Sequence, residues 1–257
     1  MMLTGVCIVK HKNTQLHASS ISEPQQFWSQ AATAVDWLSP WDKVLDDSEA
    51  PFYHWFKGAK INSCYNAVDR HVEAGRGQQI AIQYVSPVTD TEYGISYAEL
   101  QAQVSRLAGY MDSIGVKKGD RVVIYMPMVP ETAYAMLACA RIGAIHSVVF
   151  GGFAANELAT RINDAKPKLI LSASCGIEPS GVVAYKPLLD NALEQASHRV
   201  EHCLILNRSQ LEASLQVGRD VDWQTGVATA ANMDCVPLEA TDPLYILYTS
   251  GTTGQPK

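Results

Sequence analysis

Membrane-length apolar runs, metal-ligand spacings and an excess of basic charge are all missing from this 257-residue chain. No stretch reaches the roughly 20 consecutive apolar residues of a helical bilayer span. The six cysteines stand at 7, 64, 139, 175, 203 and 235, with no C-x-x-C pair and no Cys/His run at zinc spacing. They read as reduced, mostly buried thiols of an intracellular protein. Lys and Arg number 20 against 26 Asp and Glu, a net charge of −6. No general attraction for nucleic acid or an anionic membrane follows, so a phosphate-rich ligand would need a local device. The first 22 residues lack any acid but also any Arg, which falls short of the Arg-rich pattern of a transit peptide. Residues 1–24 read as a leader, with disorder and an upstream start codon both open. The compartment reads as cytoplasm, with the mitochondrial matrix open to a eukaryotic protein.

What is present is ordinary globular material: 47% hydrophobic and 18% charged residues, with 17 Gly and 12 Pro, enough apolar surface to exclude disorder for most of the chain. Four of the five tryptophans (Trp28, Trp37, Trp41 and Trp55) crowd with Phe52 and Tyr53 around Pro40 and Pro51. Such a stretch reads as an irregular strap in which each ring buries a large area. A base- or sugar-stacking platform is disfavoured by the lack of interleaved basic residues.

From residue 79 the period changes. Residues 81–85 alternate as a strand would, 91–95 form a hairpin partner, and Ser96 with Glu99 makes a capping box before a helical apolar stripe from Tyr97 to Ile114. Strands are predicted at 121–125, 145–150, 168–172, 200–206 and 243–248, and helices at 130–141, 155–165 and 186–196. Residues 207–240 read as a long connection with one short helix. Strands alternating with helices imply βαβ units, so the fold class is α/β, with a mostly parallel sheet flanked by helices. The run 145–150 reads as apolar on both faces, as a central strand would be.

The most informative stretch comes after the last predicted strand. Thr249, Ser250, Gly251, Thr252, Thr253, Gly254, Gln255, Pro256 and Lys257 combine two glycines three apart, several hydroxyls and a lysine. Glycines let a backbone approach a ligand closely, successive N–H groups form an anion-binding nest, and Lys257 adds a full charge. Charged hydrogen bonds of about 1.5–3 kcal/mol each outweigh a weakly acidic surface. Three residues separate Gly254 from Lys257, so the G-x-x-x-x-G-K-[ST] pattern of Walker-type NTPases is not met. Gly151 and Gly152 come directly after an apolar strand; by pattern alone they read first as a tight turn and second as a ligand contact at the carboxyl end of a sheet. His146, inside the same strand, reads as a core histidine.

Residues 248–257 resemble the signature of the adenylate-forming (AMP-binding) enzymes. Residues 41–47, 51–56 and 125–128, the positions Asn62, Cys64, Tyr65, Asn66, Asp69 and Arg70, and residues 143–153 resemble the acetyl- and propionyl-CoA synthetase branch. Residues 172–179 with 185–190 are most similar to the propionate–CoA ligase type, whereas acetate enzymes carry an Arg-containing stretch where 178–181 stand here. The resemblance implies an N-terminal segment over 25–80 and a partial adenylation domain over 81–257. It also implies a two-step reaction in which a short-chain carboxylate, ATP and coenzyme A, with Mg²⁺, give acyl-CoA through an acyl-adenylate. The loop from Thr249 to Lys257 would hold the ATP phosphates. Gly151, Gly152, Glu178, Pro179, Ser180 and Gly181 would approach CoA, although Glu178 puts a carboxylate where a phosphate-reading Arg is expected. No catalytic residue, metal ligand, nucleic-acid partner or membrane contact is assigned. The acyl pocket, hinge and catalytic lysine of the family would lie beyond Lys257, so the chain is expected to be an N-terminal portion without ligase activity of its own. An acetate–CoA ligase and a non-catalytic nucleotide-binding or interaction protein are the alternatives.

Overall fold

The computed structural model describes residues 4–249 apart from Phe153, with residues 4–12 as backbone only. The described residues fall into two compact units. One runs up to Asn62 and takes in Pro237–Asp242; the other comprises Ser63–Val236 and the residues from Pro243 onward. None of the described helices is long and apolar enough to cross a membrane.

In the first unit, residues read as a leader form a helix, α1 (Thr4–Ser22), followed by α2 (Pro24–Ala31). Proline opens α2 in its first turn, where its missing N–H leaves no hydrogen bond unmade. Strands β1 (Lys43–Asp46) and β2 (His54–Lys57) pair antiparallel, and β3 (Lys60–Ile61) pairs with Leu238–Glu239. The tryptophan-rich strap supplies the packing. Trp37, Trp41 and Phe56 stand pairwise 5.1 Å apart between ring centroids, and Trp28 meets Trp55 at 6.1 Å. These are edge and tilted contacts, the geometry aromatic quadrupoles favour.

The second unit begins with two helical turns, Tyr65–Asp69 and Val72–Arg76. The hairpin β4 (Ile80–Ser86) and β5 (Thr91–Ser96) leads into α3 (Tyr97–Ser113). Its capping box forms: the Glu99 N–H donates to Ser96 Oγ at 3.3 Å, and the Ser96 N–H donates to Glu99 Oε2 at 2.8 Å. Then come β6 (Arg121–Met126), α4 (Pro130–Ile142), β7 (Ile145–Phe150), α5 (Ala155–Ala165) and β8 (Leu169–Ala173). Gly143 stops α4 at φ 74°, a left-handed conformation that favours glycine. The hairpin β9 (Cys175–Glu178) and β10 (Gly181–Ala184) precedes α6 (Tyr185–Gln195), β11 (His202–Leu206), β12 (Asp220–Asp222) and α7 (Trp223–Ala228).

Strands β12, β11, β8, β6 and β7, in that spatial order, make one parallel sheet. Val122, Ile124 and Leu171 pack with α3, α4 and α7 on one face, while Val123, Ile170 and Ile205 pack with α5 and α6 on the other. This is the expected α/β architecture, with two corrections. Strand β7 lies at the sheet edge among the described strands, with Val148 43% and Phe150 70% exposed, rather than in the centre. The run 243–248 is no full strand. It joins β7 at one parallel bridge, His146 to Tyr245, where the Ile246 N–H donates to the His146 carbonyl at 2.9 Å. Two elements lie outside the predicted strands: the hairpin β9–β10, whose short strands flank a Pro- and Ser-bearing turn, and β12, which carries two aspartates.

A fully buried carboxylate explains β12. Asp220 accepts from Arg219 Nε at 2.6 Å and pairs with Lys186 Nζ at 3.0 Å; Arg219 and Lys186 in turn share Asp190 at 2.6 Å each. The network joins α6 to the sheet edge. Burial pushes the Asp220 carboxyl up, but Arg219, the Gln216 N–H and Lys186 together hold it below the ordinary range. Its stabilising contribution is therefore complete above the unfolded value of about 4 and is lost as pH falls through the lower folded value. In urea titrations at neutral pH, Asp220→Asn is expected to lose about 3–5 kcal/mol, the usual loss when one partner of a buried pair is removed. The gap to the parent should narrow below about pH 4; a gap that stayed constant into acid would contradict this.

Candidate functional site

Adjacent strands β6 and β8 send their following helices to opposite faces, since α4 packs with α3 and α6 packs with α5. In open α/β sheets such a divergence leaves a crevice above the carboxyl ends of the strands. Tyr125, near the end of β6, and Tyr185, the first residue of α6, form a buried floor beneath these strand ends, with rings 5.2 Å apart. Burial, then the neighbouring Tyr185, pushes the Tyr125 phenol up to about 12, and burial foremost raises Tyr185 as well. Both stay protonated at neutral pH.

Two glycines meet over Tyr185. A Cβ built on Gly151 would overlap its hydroxyl and ring, and one on Gly176 would come 2.6 Å from the hydroxyl oxygen. Gly151 is buried and Gly152 exposed, so the pair after β7 divides its work: one glycine admits the tyrosine and the other faces outward. The hairpin β9–β10 rises from the same floor and presents Glu178, Pro179, Ser180 and Gly181 as an exposed tip. Gly181 takes φ 129°, open to glycine alone at ordinary strain, with nothing near where its side chain would be.

Of the phosphate-loop residues only Thr249 is described; Ser250, Gly251, Thr252, Thr253, Gly254 and Lys257 lie outside the described residues. The approach to the loop is anchored. The Tyr248 hydroxyl donates to Asp164 Oδ2 at 2.6 Å, and the Arg161 guanidinium lies 5.5 Å from its ring centroid. Both partners belong to α5, whose first turn comes just after Gly151 and Gly152, so the glycine turn and the loop entrance share one helix. His146 is 6% exposed, and burial holds its imidazole below the usual value, which keeps it neutral as a core histidine.

Sequence reasoning missed Tyr125, Tyr185, Asp164 and Arg161. Tyr125 and Tyr185 open two of the stretches that carry the family resemblance, but no spacing motif gives any of the four a role, and the physical trace of Tyr185 is indirect, in glycines at two distant positions that leave room for a large ring.

A parallel α/β sheet with a glycine turn at the carboxyl end of a strand places the chain in the doubly wound class, whose members bind ligands along that edge. Comparison with known proteins narrows it. A family model described as AMP-binding enzyme matches residues 68–257, and one described as acetyl-coenzyme A synthetase N-terminus matches residues 14–67. The chain belongs to the AMP-binding enzyme family. It is 55% identical over 241 residues to "Acyl-CoA synthetase short-chain family member 3, mitochondrial" of Rattus norvegicus, covering 93% of this chain and 35% of that protein. With the "Propionate--CoA ligase" of Escherichia coli (strain K12) it shares 43% over 246 residues, 95% of this chain and 39% of the relative. A solved structure, the acetoacetyl-CoA synthetase from Streptomyces lividans, superposes with a TM-score of 0.84 at 27% identity, over 94% of this chain and 36% of that one. The chain thus spans little more than a third of the length of these relatives.

The shared floor makes a prediction. Gly176→Ala is expected to destabilise the chain by about 1–3 kcal/mol, as overpacked cores do. In a Tyr185→Leu background the same substitution should be nearly neutral. Equal losses in both backgrounds, measured by urea unfolding, would show that Tyr185 is not the obstacle.

Proposed function

We propose that this chain serves in a short-chain acyl-CoA synthetase of the propionate–CoA ligase type, forming acyl-CoA, AMP and pyrophosphate from a carboxylate, ATP and coenzyme A. The observation that carries the reading is the near full-length match of this chain to short-chain acyl-CoA and propionate–CoA ligases, on a fold whose crevice and loop entrance suit nucleotide chemistry. The carboxylate attacks the α-phosphorus of ATP and expels pyrophosphate; the CoA thiolate then attacks the acyl carbon and expels AMP. Residues Thr249, Ser250, Gly251, Thr252, Thr253, Gly254 and Lys257 hold the β- and γ-phosphates, where donors aimed at developing charge act most strongly. The turn at Gly151 and Gly152 and the tip at Glu178, Pro179, Ser180 and Gly181 face CoA. Mg²⁺ accompanies ATP as charge neutraliser, and no residue of this chain is assigned to it.

Propionate is favoured over acetate by the likeness of residues 172–179 and 185–190 to the propionate type and by the identity with the bacterial propionate ligase. Relatives include a mammalian protein named as mitochondrial and a bacterial one, so we assign the activity to the cytoplasm of a bacterium or the mitochondrial matrix of a eukaryote.

The test uses a protein carrying this chain at its relatives' full length. Thioester formation with acetate, propionate and butyrate is expected to give the highest kcat/KM for propionate. Lys257→Ala should lower kcat/KM for ATP about 10- to 100-fold, the equivalent of one charged hydrogen bond. Absence of carboxylate-dependent thioester, or an unchanged Lys257→Ala enzyme, would refute the assignment.

A further inference from the structure

Away from the crevice, three side chains from two distant stretches converge beside α4. Cys64 is fully buried just ahead of the turn Tyr65–Asp69, Asp69 ends that turn, and Cys235 is half-buried in the segment after α7. Both sulfurs and a carboxylate oxygen lie within 4.8 Å of one another. Asp69 Oδ2 is 3.5 Å from Cys235 Sγ and 4.0 Å from Cys64 Sγ. Arg141 approaches Cys64 Sγ at 3.5 Å with the same Nη1 that donates to Asp69 Oδ2 at 2.8 Å, while its Nη2 donates to Oδ1 at 2.9 Å.

Such a group can take up a cation or give up an electron pair. A cation fits badly, because both carboxylate oxygens already accept from a guanidinium that is itself buried, 4% exposed, and a second positive charge would stand beside it. Oxidation fits well. The guanidinium offsets the charge of a thiolate, and a second sulfur stands within reach of the first.

We propose that Cys64 and Cys235 form an oxidative modification site, which hydrogen peroxide or an organic hydroperoxide closes to a disulfide. The Cys64 thiolate attacks one peroxide oxygen; the O–O bond breaks, an S–O bond forms, and hydroxide leaves to become water on taking up a proton. The Cys235 sulfur then attacks the Cys64 sulfenic sulfur. The S–O bond breaks, the S–S bond forms, and the hydroxide takes the Cys235 proton and departs as water. Two thiols lose two electrons, and hydrogen peroxide becomes two waters. Closing the gap to an S–S bond of about 2 Å draws the two sulfurs together, and the half-buried Cys235 gives a small oxidant its entry. Donation from the Cys235 thiol, then the Arg141 charge, holds Cys64 below the ordinary thiol value against its burial. By contrast, burial raises Cys139 and pushes Cys203 up to about 12, which leaves both inert.

The bond would staple a segment on which much converges. Met233 exchanges hydrogen bonds with Ser105 of α3 and accepts from Arg141 Nε, and the Val236 N–H donates to the Arg141 carbonyl at 3.0 Å. Oxidation would therefore fix the stretch that leads the chain back towards β7 and the phosphate loop.

The experiment exposes the chain to hydrogen peroxide, caps free thiols under denaturing conditions and maps the peptides by mass spectrometry. The expected result is one peptide pair joined through Cys64 and Cys235, lighter by two hydrogens and released by dithiothreitol, with Cys139 and Cys203 fully capped. Cys235→Ser should abolish the joined pair and leave Cys64 with one added oxygen that dimedone traps. Cross-links through other cysteines, oxygen added first at Cys139 or Cys203, or Cys64 and Cys235 both fully capped after peroxide would each overturn the proposal. The parent chain alone decides the matter if Cys235→Ser does not fold.

Discussion

Arg141 is buried, so its charge has to be answered where it stands. Asp69 answers it with both oxygens, and the Met233 carbonyl accepts from the remaining side of the guanidinium. Gln101 of α3 donates to the same carboxylate at 2.8 Å. One cation thereby fastens the entry of the second unit, two helices and the segment that returns after α7. The fit around that returning segment is close. The Ala231 carbonyl oxygen occupies the space a Cβ on Gly109 would need, so a residue that weakens an isolated helix is here what lets the chain cross α3.

This junction bears on function through the stretch of chain it releases towards the phosphate loop. The run from Pro243 passes His146 in β7, and Tyr248 is then held by Asp164 and Arg161 at the threshold of the glycine- and threonine-rich loop. Gly151, directly after the same strand, and Gly176 close over Tyr185, which positions the turn and hairpin proposed to face CoA. The approach to the proposed phosphate loop and the turn and hairpin proposed for CoA thus rest on neighbouring elements, as a site that must bring two substrates together requires.

Much of the fold is legible in the sequence because local chemistry decides it. Ser96 and Glu99 announce a helix start, Gly143 a helix stop, and the apolar runs of β6, β7, β8 and β11 the parallel sheet. The features that escape such a reading depend on partners far along the chain. Asp220 and Asp222 break the apolar pattern of a strand, and Lys186, Arg219 and the Gln216 N–H make a buried aspartate acceptable there. The edge position of β7 and the single bridge to Tyr245 arise from pairing partners rather than from composition. Arg141 reads as an ordinary basic residue at a helix end; nothing nearby in sequence names Asp69. The phosphate loop is the reverse case: its chemistry is carried by sequence pattern, with Thr249 its one described member.

The most direct measurement is isotope exchange between pyrophosphate and ATP, catalysed by the full-length protein that bears this chain. Exchange reports the first half-reaction alone and needs no CoA. The account predicts label entering ATP only when a short-chain carboxylate is present. No exchange with any such acid, or exchange that proceeds equally without one, would contradict the assignment to adenylate chemistry.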